Sequence, residues 1–284
     1  MGSNVFTGQP VAARFDDCYA SERDLLVSLL EEFNAGDLAL LDMGFEGFQV
    51  WKQFEQRGQK FINRIRTRGN VPHVVRKFLE SGKKTDIVEF FQAGDKLRLR
   101  LIRAKNRDRK GAPIVLVTNL LDEKKYKTRT IWKLYKRRWD SETMYYRVKK
   151  LFNLEKFHAK TVHGVLQEIW ANLFILSLIA LLVLLASKQW GMGKGHRVPN
   201  FKNASEVLRR NLVYCISGPY LRHNEAFKKM LDEVAQVVFI RKPGRKNPRI
   251  SKQPANTWNL RRPLAKNRPS NKWEKNRVER LKNA

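Results

Sequence analysis

Leu38-Ala-Leu-Leu-Asp-Met-Gly-Phe45 is the stretch on which the fold turns. Four uncharged aliphatic residues in a row, with no polar alternation, are expected of a strand buried on both faces. The run ends on Asp42, and an acidic residue just past a buried parallel strand stands at the carboxyl edge of a sheet, where α/β proteins build their sites. Gly44, two residues on, is expected to let the backbone turn closely there. Asp42 is therefore a candidate site residue. Its other reading, a cap for the helix that follows, stays open at this stage.

Working outward, an amphipathic helix over about 47–58 leads through Gly58 to a second strand, Lys60-Phe-Ile-Asn-Arg-Ile-Arg66. Strand, helix, strand at this spacing predicts a βαβ unit in an α/β sheet. Upstream, Thr7-Gly-Gln-Pro10 is turn chemistry and Val11 to Phe15 reads as an edge strand. Ser21 is the N-cap candidate for a helix whose apolar stripe is Leu25, Leu26, Leu29, Leu30 and Phe33, broken by Asn34-Ala-Gly-Asp37. Residues 1–66 thus form the first part of a core. Residues 67–112, where Asp86 to Phe91 and Leu97 to Ile102 alternate with basic turns, read as a β-rich insertion. Pro113 to Thr118 returns to a buried strand, and a long helix from about Thr130 to Phe152 and an apolar helix complete a core segment over 113–190. In the next segment, 191–240, Gly191-Met-Gly-Lys-Gly195 reads as a loop and a helix pair fills about 203–237. In 241–284 the composition shifts to 15 Lys and Arg against 2 Glu, with 5 Pro, which predicts a disordered basic tail.

Across the 284 residues, 57 Lys and Arg face 27 Asp and Glu, a formal net charge of +30. An excess of that size calls for a polyanionic partner, since each cation placed near a phosphate releases condensed counterions. Nucleic acid comes first and an acidic lipid surface second. Two cysteines, Cys18 and Cys215, are too few for a disulfide scaffold and sit in no metal-ligand spacing. The first residues show no basic stretch followed by an apolar one, so no secretory signal is expected. Trp170 to Ala186 is apolar apart from Asn172 and Ser177. That is the short limit for a membrane span, which needs about 20 residues, and a helix buried in a large core is the expected reading, with no membrane.

The sharpest motif is Tyr135-Lys-Arg-Arg-Trp-Asp-Ser-Glu-Thr-Met-Tyr-Tyr-Arg-Val-Lys149. On one continuous α-helix Tyr135, Arg138, Glu142 and Lys149 fall within a sector of about 60°. Such a stripe offers a carboxylate for a divalent cation with cationic groups to grip phosphates beside it. It also fits an ordinary exposed face carrying an Arg138–Glu142 i,i+4 ion pair. Asp42 and Glu142 are 100 residues apart, so only the fold can bring them together.

The Tyr-Arg-Glu-Lys stripe, the D-x-G-F after a buried strand and Val117-Thr-Asn-Leu-Leu121 before the long helix together resemble the insertion-sequence-four family of DDE transposases, over about residues 5–187. The resemblance implies an RNase H-like catalytic core with a β-rich insertion before the helix carrying the last catalytic Glu. It implies Asp42 as the second catalytic Asp, Glu142 as the catalytic Glu, and both as ligands of Mg²⁺ or Mn²⁺. Tyr135, Arg138 and Lys149 would contact the double-stranded DNA of transposon ends, and family members act as dimers on paired ends. The family's first catalytic Asp lies on an earlier strand. Asp16 and Asp17 stand beside a predicted loop instead, so no residue takes that place here. The chain is then expected to lack the N-terminal part, to bind DNA, and to be inactive alone. The competing expectation is a catalytically silent DNA-binding remnant or regulator. A cytoplasmic, nucleoid-associated bacterial protein is expected.

The remaining polar and aromatic positions have plainer readings. His158 and His163, at i,i+5, are expected at the surface, and Trp132, Trp139, Tyr145 and Tyr146 in packing. Trp258 and Trp273 lie in the tail, which is expected to hold phosphate backbones without sequence preference.

Overall fold

The computed structural model describes residues 1–240 apart from 17, 18, 35, 108–110, 152–156, 193–196 and 218–222, and no side chain at 105–107, 141, 143, 147, 148, 150, 151, 215, 216 or 223. Cys18 and the predicted tail, 241–284, lie outside the described residues, as does part of the loop expected near Gly191.

A small hairpin, β1 (Gly2–Ser3) and β2 (Pro10–Ala12), opens the chain. Helix α1 (Glu22–Leu29) starts at Ser21, whose hydroxyl accepts from the Asp24 backbone N–H at 3.4 Å, as its cap chemistry predicts. Strand β3 (Leu38–Leu41), helix α2 (Phe48–Gln56) and strand β4 (Lys60–Ile65) follow. β3 and β4 pair in parallel, Leu38 with Lys60 through Leu41 with Asn63, which is the expected βαβ unit.

The region from 67 to 112 contains a helix that its turn-rich sequence hides, α3 (His73–Glu80). Val75 and Phe78, three residues apart, put one face into the core. Strands β5 (Thr85–Gln92) and β6 (Asp95–Arg107) form a hairpin, and β7 (Pro113–Thr118) pairs with both β6 and β4. The expected insertion is therefore not a separate sheet. One mixed five-stranded sheet runs β3-β4-β7-β6-β5.

Strand alternation sorts its side chains into two layers. Leu41, Phe61, Ile65, Val115, Val117, Leu99 and Leu101 pack with α1, α2 and α3 on one face. Leu38, Leu40, Ile62, Leu116 and Ile102 pack on the other with helix α4 (Thr128–Tyr135) through Ile131 and Tyr135. Burial on both faces explains why β3 and β7 read as nearly continuous apolar runs.

The predicted long helix is two helices joined by a 3₁₀ turn. α4 ends at Tyr135, Lys136–Arg138 form the turn, and α5 (Trp139–Leu151) continues. Helix α6 (Val162–Gln189), capped by Thr161 on the Gly164 N–H at 3.1 Å, is longer than its apolar segment. Its Ile169, Leu173, Leu176, Ile179 and Ala186 build a second core with α7 (Phe201–Ser217) and α8 (His223–Gln236). A two-stranded pair, β8 (Arg197–Pro199) and β9 (Val238–Ile240), brackets those helices. By length and composition α6 is apolar enough to cross a membrane. In this structure its inner face packs on α7 and α8, while Trp170, Phe174, Leu181 and Leu184 stand exposed on the outer one.

Candidate active site: two carboxylates bridged by an arginine

The site begins where β3 stops. Asp42 has extended backbone, φ −77° and ψ 167°, and its carboxylate accepts from the Met43 N–H at 2.7 Å, capping the short 3₁₀ turn Met43–Phe45. Asp42 thus caps this turn and not helix α2, whose cap position is Gly47, and it does so through Oδ1 alone. The other oxygen, Oδ2, faces Arg138 Nη1 at 3.8 Å. Gly44 does not have the role its position suggested. Its φ is not positive and a Cβ added there would meet open space, so another residue fits the turn sterically. What fastens the turn is Arg23, whose Nε donates to the Gly44 carbonyl at 3.1 Å.

Arg138 also donates from Nη2 to Glu142 Oε1 at 2.9 Å. One guanidinium therefore joins the two carboxylates that the sequence holds 100 residues apart. Arg138 is only 12% exposed at its side chain, whereas Asp42 and Glu142 are about half exposed, at 50% and 47%. Burial works against the charge on Arg138, but the hydrogen bond from Glu142 and the charge of Asp42 outweigh it and raise its pKa.

Tyr135 stands beside Arg138 and Asp42, behind the exposed carboxylates. It is buried at 8%, packs in the α4 layer, and its hydroxyl donates to the Leu41 carbonyl at 3.2 Å. At about 120° per residue instead of 100°, the three residues of the 3₁₀ turn rotate the helix by about 60° beyond an α-helical path, so Tyr135 and Glu142 stay on one side of it. Burial, with the nearby Asp42 charge, pushes its pKa up to about 12 against the lowering influence of Arg138 and Arg64. Lys149 is exposed on α5, two turns beyond Glu142.

Sequence reasoning passed over a third layer of the site. Asn63 lies on β4 opposite Leu41, wholly buried, with Nδ2 donating to the Asp42 carbonyl at 2.7 Å and the Leu41 carbonyl at 3.3 Å. Its Oδ1 accepts from Trp51 Nε1 at 2.8 Å. The signal was an amide at the position between Phe61 and Ile65 on one face of the strand, where Asn is disfavoured.

Of the plainer residues, His158 is almost fully exposed and its backbone N–H donates to Glu168, while His163 meets Gln167 at 3.2 Å. Trp132 packs edge-on against Tyr135, but Trp139 and Tyr146 stand more exposed than expected of packing residues. The Tyr145 hydroxyl donates to the Met1 carbonyl at 3.1 Å.

Asp42 at the carboxyl end of β3 and Glu142 on α5 thus present carboxylate oxygens to one guanidinium, that of Arg138. A model of the transposase DDE domain family matches residues 1–178, and the chain belongs to the DDE transposases. Those enzymes are metal-dependent nucleases that bind and recombine DNA. No curated protein matches the chain.

Proposed function

We propose that this chain carries the catalytic domain of an insertion-sequence-four type transposase, RNase H-like in its core, with Asp42 and Glu142 as two of three catalytic carboxylates. The observation that carries this reading is the Arg138 bridge, which puts both acids in one place beside the strand end. Their chemistry suits Mg²⁺ or Mn²⁺, which take carboxylate oxygens and water and accept one or two protein carboxylates beside substrate phosphates. A divalent ion bound there would polarise a phosphodiester and activate an oxygen nucleophile.

The protein's own part is to hold the oxygens in place and to manage charge. Arg138 offsets the repulsion between Asp42 and Glu142, and with Lys149 it offers cations to DNA phosphates. Tyr135 is not free to do so, and it anchors α4 to the end of β3 instead.

Among the described residues no group of three His, Cys, Asp or Glu side chains is close enough together to hold a metal ion. The second part of the proposal is that the chain binds transposon-end DNA but does not cut it without a further carboxylate; the alternative is a catalytically silent DNA-binding remnant or regulator. A nicking assay on supercoiled DNA with Mg²⁺ or Mn²⁺ tests both. The expected result is a mobility shift without nicking. Nicking that disappears in both Asp42→Ala and Glu142→Ala would overturn the inactivity and establish the pair as catalytic.

A further inference from the structure

We propose that Asn63, oriented by Trp51, is a positioning residue for the Asp42 carboxylate. It acts through the two carbonyl groups at the end of β3, and the proposal rests on the reading of Asp42 as a metal-binding acid.

Asn63 replaces an apolar side chain at a position whose strand neighbours on the same face, Phe61 and Ile65, are core residues. A buried amide there costs stability unless its polar atoms are bonded, so the exception points to a structural demand. Its orientation has one solution. The Trp51 indole N–H can only donate, so the atom 2.8 Å from it must be Oδ1, and the carbonyls of Leu41 and Asp42 must face Nδ2.

The amide thus holds the peptide that carries Asp42 at the point where it departs from the sheet. Two other groups close on the same place. The Phe45 N–H donates to the Asp42 carbonyl at 3.1 Å, and the Tyr135 hydroxyl reaches the Leu41 carbonyl from the α4 layer. Asp42 itself is half exposed. Its Oδ1 accepts from the adjoining Met43 N–H at 2.7 Å, while among the described residues its Oδ2 has only Arg138 Nη1, at 3.8 Å. The backbone on which the carboxylate turns therefore governs where Oδ2 points. Groups one shell behind a metal-binding carboxylate affect affinity because they fix where its oxygens point.

The test is Mn²⁺ binding by the full chain, followed by the paramagnetic resonance signal of free Mn²⁺, at a temperature where each variant is folded by circular dichroism. Asn63→Ala is expected to weaken binding roughly ten- to a hundredfold. Trp51→Phe keeps the ring in the core and removes only the N–H, and it is expected to weaken binding in the same direction but less. Asn63→Ser, which retains a donor, should recover part of the loss. Asp42→Asn should abolish binding at this site. If Asp42→Asn abolishes it while Trp51→Phe and Asn63→Ala bind as the unsubstituted chain does, the positioning role is wrong and the metal reading stands. If Asp42→Asn binds Mn²⁺ unchanged, or the unsubstituted chain does not bind, the metal reading itself fails and the inference falls with it. Should Asn63→Ala not fold, Trp51→Phe decides alone.

Discussion

At the scale of single residues, Tyr135 shows how a polar motif residue can serve through packing. Its hydroxyl ties α4 to the Leu41 carbonyl inside the core. Tyr135→Phe keeps the ring and leaves that bond unmade, so a loss of about 1 kcal/mol is expected in urea unfolding. The pH dependence has a definite sign. The pKa of Tyr135 is raised from 10.0 to about 12 in the folded chain. Its contribution is fully present below pH 10 and is lost as pH rises through about 12, because over that window only the unfolded chain gives up its proton easily. Alkaline unfolding between those limits should therefore be shallower for Tyr135→Phe. Tyrosinate absorbance should show one fewer group titrating late. Burial raises Tyr145 as well, so the comparison needs the single substitution and not the total.

At the scale of elements, the sheet-to-helix joints rest on side chains that replace missing backbone partners. Helix α4 has no side-chain cap of its own at Lys127. Arg100 of β6, almost wholly buried, reaches the Tyr126 carbonyl at 2.8 Å and the hydroxyls of Thr128 and Thr85 at 3.0 and 2.9 Å. Arg100→Ala should lower stability by about 3 kcal/mol, since it leaves three partly buried acceptors without their donor and opens a cavity. An unchanged thermal midpoint would refute this account of how α4 is seated. Asn119 similarly continues the β4–β7 pairing, accepting from the Phe61 N–H at 3.1 Å and donating to the Gln59 carbonyl at 2.8 Å.

Much of this element level was legible in the residues. Aliphatic runs placed β3 and β7, strand–helix–strand spacing placed β4, and Ser21 marked the start of α1, because burial and capping leave local traces. The break at Lys136–Arg138 was not legible. Its residues suit an α-helix, and only the pull of Ile131 and Tyr135 into the sheet layer reveals it. α3 was hidden for a related reason: eight residues between Pro72 and Gly82 are too short for their periodicity to outweigh the turn chemistry around them. The site was legible as two separated acids, but their meeting depended on tertiary structure, and Asn63 could be suspected only as an anomaly within its strand.

At the scale of the whole molecule, charge is the dominant quantity. The net +30 predicts DNA binding whose affinity falls steeply with salt. Residues 241–284 supply 15 of the Lys and Arg, so removing them should flatten the slope of log K against log salt measured by fluorescence anisotropy. An unchanged slope would show that the DNA contacts lie within residues 1–240. The two outer margins of the sheet differ as sharply as the charges do. β5 is edged with ion pairs, Lys83 with Asp86 and Lys96 with Glu89, which discourage a neighbouring chain from adding on. β3 at the opposite margin has Leu38, Ala39, Leu40 and Leu41 and pairs with β4 alone among the described strands. A margin with no Lys, Pro or bulge to repel a newcomer is a template. The shortness of β3, four residues, is then the main guard against added strands on that side, and lengthening it by replacing Asp37 with Val is expected to raise light scattering as concentration rises.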